Sequence, residues 1–67
     1  MSDQPRITKT ADGTYAIFSG RSGQRIGTVV PLATGGFEAR RGTVLVYGPA
    51  PTVERAARAL ADRFPLD

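Results

Sequence analysis

The stretch Thr52 to Phe64 limits what this chain can become more than any other. Its apolar residues are Val53, Ala56, Ala57, Leu60, Ala61 and Phe64. That is the i, i+3, i+4, i+7, i+8 spacing of a single helix face. Thr52 is placed to cap this helix, because its hydroxyl can accept a hydrogen bond from a first-turn N–H. Glu54 in the first turn and Arg63 in the last oppose the helix dipole favourably. Glu54–Arg58 and Arg58–Asp62 are spaced as i,i+4 pairs. Pro65 disfavours a helical Phe64, which sets the end of the helix.

Everything before Thr52 reads as short strands and turns. Arg6–Thr10 is a strand with Ile7 as its strong apolar residue. Asp12-Gly13 marks a tight hairpin turn in which both central residues take positive φ. Tyr15–Ser19 returns, and the loop around Gly20 and Gly23 leads to Arg25–Val30, which Pro31 ends. Gly35-Gly36 precedes a fourth strand, Phe37–Arg40. Arg41-Gly42 turns into the fifth, Thr43–Tyr47, which Gly48-Pro49 breaks. A faint internal echo links Tyr15…Ile26-Gly27 with Phe37…Tyr47-Gly48. The expected fold class is α+β. A four- or five-stranded antiparallel meander, strands about 6–47, carries one C-terminal helix, about 52–64. Residues 1–5 read as a flexible tail and 6–67 as one small domain.

Period-2 alternation puts Tyr15 and Ile17 on one face of the sheet and Phe18 on the other. It sets Ile26 and Val30 against Val29, and Val44 and Val46 against Leu45 and Tyr47. One helix covers one face, so this pattern leaves apolar residues over. Either the sheet curls into a small, partly open barrel, or its second face is an interface.

With 67 residues the chain is one small domain. Its sequence has no Cys and no His. Disulfides, thiolate or imidazole metal ligands and Ser-His or Cys-His catalysis are thereby excluded. The carboxylates Asp3, Asp12, Glu38, Glu54, Asp62 and Asp67 show no spacing that suggests an acid/base pair. Gly20-Arg21-Ser22-Gly23 lacks the Gly-Lys-Ser/Thr ending of a phosphate-binding loop. A non-catalytic protein without metal or cofactor is expected. There is no apolar run of membrane-spanning length and no signal-like N-terminus, so the expectation is a cytoplasmic protein without membrane contact.

The formal net charge is +3. Residues 1–50 hold six cations against three carboxylates, and residues 51–67 hold three of each. The excess therefore belongs to the sheet, which suits an anionic partner there. Arg25, Arg40 and Arg41 are the candidate contacts, since guanidinium groups pair well with phosphates and guanine edges. The pattern shows no outward aromatic placed for base stacking, which argues for duplex over single-strand binding. The alternative is a protein-interaction module, a phage or bacterial regulatory protein that dimerises or binds a host protein. Leu45 and Tyr47 would form its contact surface.

Gly36-Phe37-Glu38-Ala39-Arg40, then Gly48, then Thr52-Val53-Glu54-Arg55-Ala56-Ala57-Arg58-Ala59-Leu60 form an aromatic-x-Ala-Arg strand, a second strand ending in Gly, and a Thr-capped helix. Over about residues 36–61 this resembles the three-stranded-sheet-plus-helix DNA-binding domains of ethylene-response factors and of tyrosine-integrase arm-binding modules. The resemblance implies a sheet laid in the major groove of duplex DNA. Arg40 is its best-matched contact, and Arg25 and Arg41 are weaker matches.

Overall fold

The computed structural model describes residues 4–63. Residues 1–3 of the expected tail and Phe64, assigned above to the helix's apolar face, lie outside the described residues. The chain forms β1 (Arg6–Lys9), β2 (Tyr15–Phe18), β3 (Arg25–Pro31), β4 (Phe37–Arg41), β5 (Val44–Ala50) and α1 (Val53–Arg63). The five strands pair antiparallel in chain order. α1 packs across β3, β4 and β5 and reaches β2. The fold is thus the α+β meander with one helix. The sheet is open, with β1 and β5 as its edges. No helix among the described residues is long and apolar enough to cross a membrane.

The loops show how local chemistry sets the strand spacing. At the first, Thr10 N–H donates to the Thr14 carbonyl at 2.8 Å, and Gly13 N–H to the Thr10 carbonyl at 3.2 Å. Gly13 has φ +88°, and Asp12 keeps a negative φ. A three-residue loop with one left-handed glycine therefore replaces the expected Asp12-Gly13 two-residue turn. Asp12 is used differently: its carboxylate accepts from the Thr10 hydroxyl, the Thr14 hydroxyl (2.9 Å) and the Thr14 N–H (3.3 Å). The β3–β4 loop repeats the backbone pattern, with Leu32 N–H to Gly36 carbonyl and Gly35 N–H to Leu32 carbonyl, both 3.0 Å. Each of these loops is followed directly by an aromatic residue. The two rings, Tyr15 and Phe37, meet edge to face, 6.2 Å between centroids and 76° between planes. The echo in the sequence is thus a repeated loop-plus-aromatic unit.

Bulges decide which residues reach the core. Ile17 pairs with Gly27 but Phe18 with Arg25, so Ile26 is an extra residue in β3. A bulge of this kind turns two successive side chains to one side. Ile26 and Val29 are both buried beneath the helix, where strict alternation sets them on opposite faces. In β5, Ala39 pairs with Tyr47 and Arg40 with Leu45, so Val46 is the extra residue, and it packs against the core. Phe37 pairs with Ala50, so Gly48 and Pro49 together oppose Glu38. β5 therefore runs through Gly48-Pro49, a cis peptide, to a buried Ala50, three residues beyond its expected end. It is an edge strand, where a proline's missing N–H is tolerated. The bulges bring Ile26 and Val46 to the helix side. Phe18, Val30 and Leu45 remain on the other face, and the sheet stays open instead of closing into a barrel.

The core is Ile17, Ile26, Val29, Ala39, Ala50, Ala56, Ala57 and Leu60. The helix supplies two alanines and one leucine to it. Small residues let its axis lie close to the sheet, and Leu60 fills the space above Gly27. Thr52 Oγ1 accepts from Arg55 N–H at 3.2 Å, as a cap should.

Candidate functional site

The helix occupies one face of the sheet and leaves the other open. Residues directly opposed across an antiparallel pair share a face, so the registers define what the open face presents. One row is Arg6–Phe18–Arg25, across β1, β2 and β3. The next is Thr8–Ala16–Thr28–Arg40–Leu45, across all five strands. Val30 and Glu38 form a third. Alternation within each strand agrees: Ile7, Ile17 and Ala39, one residue away from these positions, belong to the helix side.

Two of the arginines expected to act together are brought together, and Thr28 joins them. Arg25 Nη2 donates to Thr28 Oγ1 at 2.7 Å. Thr28 stands directly opposite Arg40. Arg40 in turn donates from Nε (3.2 Å) and Nη2 (2.8 Å) to Glu38 Oε1. Arg25 and Arg40 are both exposed on this face, beside the half-buried Thr28 and Glu38 and the buried Ala16. Glu38 is the one carboxylate in the three rows, and Arg40 engages it. The Arg6–Phe18–Arg25 row contains two cations and no acid.

Arg41 is placed differently. It follows Arg40 on an unbulged strand, so it shares the parity of Phe37 and Ala39, on the helix side, and it is exposed. Leu45 and Tyr47 are also exposed, at 52% and 42%. Their partners lie on opposite faces, Arg40 for Leu45 and the buried Ala39 for Tyr47, because Val46 intervenes as a bulge. They do not share the face that alternation assigned to both. Leu45 stands on the open face opposite Arg40, whereas Val44, 63% exposed, opposes Arg41 and lies with it on the helix side.

The sequence reading missed Arg6 as part of this surface. The signal was present: an inward Ile7 makes Arg6 outward by alternation. Its position beside Phe18 depends on the hairpin register, which the three-residue loop sets. A cleft of about 540 Å³ lies on the other side of the molecule, by the start of α1, and Ile7, Tyr15, Phe37 and Val53 line it. Its rim carries Glu54 and no cation, so it is unsuited to an anion.

Comparison of the chain with protein-family models, with curated proteins and with solved structures gave no match.

Proposed function

We propose that this chain is a DNA-binding module that works through the sheet face left open by α1. One observation carries the reading: Arg25, bonded to Thr28, and Arg40, which stands opposite Thr28, share that face, with Arg6 in the adjoining row. Arginines with guanidinium groups aligned along one surface suit phosphate contacts, and Thr8 and Thr28 add hydroxyl donors for phosphate oxygens. The helix supports this surface from behind. Its own charges, Glu54 and Asp62 among Arg55, Arg58 and Arg63, nearly balance.

Measuring DNA affinity against salt tests the proposal. About three phosphate contacts give a slope of log affinity against log salt of roughly −2 to −3. The Arg25→Ala and Arg40→Ala variants should each lower the affinity and flatten the slope by about one contact. No binding at low salt would overturn the reading. A sedimenting dimer without DNA affinity would instead favour a protein partner at the exposed Leu45.

A further inference from the structure

We infer that the open face takes single-stranded DNA, with a base stacked on Phe18 between the phosphate contacts of Arg6 and Arg25. The inference rests on the DNA-binding reading above and specifies the form of DNA.

Phe18 is the middle member of a row whose two other members are arginines. It is partly exposed and stands on the side away from the core that Ile17 and Tyr15 enter. Phe18 is half-buried and does not pack on the core, on a face that otherwise carries Arg, Thr, Glu38 and aliphatic residues. A ring flanked by cations is what an unpaired nucleotide requires: a flat apolar platform for the base and positive charge for the phosphates on either side. Arg25 is steadied by Thr28 in the next row, so its guanidinium lies over the sheet beside the ring's row.

The width of the surface points the same way. Arg6 is on β1 and Arg40 on β4, three strand spacings apart, or roughly 14 Å. A duplex major groove is about 12 Å wide and admits a two-stranded ribbon. A five-stranded open sheet bearing its arginines on β1, β3 and β4 is wider than that groove. A single strand running across the β-strands can meet Arg6, Phe18 and Arg25 in turn. Charge is complementary as well, since this row holds no carboxylate.

The test compares a thymidine 15-mer with a blunt duplex of the same length, at equal low salt. The 15-mer should bind at least tenfold more tightly. Phe18→Leu keeps the apolar bulk but removes the ring, and should weaken the 15-mer about tenfold while leaving duplex affinity unchanged. Phe18→Tyr should keep wild-type affinity. Circular dichroism and the thermal midpoint establish that each variant is folded. Tighter binding to the duplex, or a folded Phe18→Leu protein that binds the 15-mer as wild type does, would overturn the inference while leaving DNA binding intact. Failure of both probes to bind would overturn the DNA reading itself.

Discussion

Leu60 lies directly over the backbone of Gly27. A β-carbon at Gly27 would come within 2.8 Å and 2.9 Å of the two Leu60 methyls and 2.6 Å of the Arg40 carbonyl oxygen. The glycine is therefore required by the helix above it and by the neighbouring strand, at a point where β3 bulges. This contact fixes how close α1 comes to the sheet.

Gly27→Ala should destabilise the protein by about 2–3 kcal/mol, because the Arg40 carbonyl belongs to the sheet and cannot yield. For a domain of this size that lowers the thermal midpoint by roughly 10–20 °C. Leu60→Ala should cost about 2–5 kcal/mol through the cavity it leaves. The double variant should lose less than the two costs combined, since removing Leu60 relieves part of the clash. Denaturant titrations of all three check this; strict additivity would contradict the contact. Leu60→Asp buries an unpaired charge and should not fold.

The helix start can be tested separately. Thr52→Ala removes the acceptor for Arg55 N–H and should cost about 1 kcal/mol, whereas Thr52→Ser should be near neutral. Urea midpoints with an unchanged slope would show that the effect is on stability alone.

Asp12 makes stability depend on pH in the acid range. Hydrogen bonds from the hydroxyls of Thr10 and Thr14, then from the Thr14 N–H, hold its pKa down at about 2, against 3.8 ordinarily. The folded state therefore favours the ionised carboxylate. This contribution is complete above about pH 4 and is lost as the pH falls through about 2. Asp12→Asn should lower stability at pH 7, and the difference from wild type should shrink towards pH 2. A constant difference across that range would show that the Asp12 charge is not involved.

Glu38 tests the electrostatics of the open face without disturbing the core. Its bond to Arg40 is a partly exposed ion pair, worth about 0–1 kcal/mol. Glu38→Gln should shift the thermal midpoint by only a few degrees while raising DNA affinity severalfold, because Arg40 then meets phosphate without a competing carboxylate. Fluorescence anisotropy at low salt reads the gain, which should fade as salt rises.

The sequence by itself determined the order and kind of the elements. Helical periodicity placed Val53, Ala56, Ala57 and Leu60 on one side, Thr52 declared the cap, and glycines and β-branched residues marked loops and strands. These are local properties, read within a few residues. It also concentrated the excess positive charge in residues 1–50, Arg25 and Arg40 among them. Tertiary structure alone decided which side chains share a face. That depends on register, and one extra residue reverses every later assignment in a strand. Ile26 and Val46 are such residues, admitted as bulges because burying them against α1 outweighs the lost regularity of the ladder. The same registers separated Leu45 from Tyr47, kept Arg41 off the open face and set Phe18 between Arg6 and Arg25. Those neighbours are 12 and 7 positions away along the chain, and no local pattern pairs them.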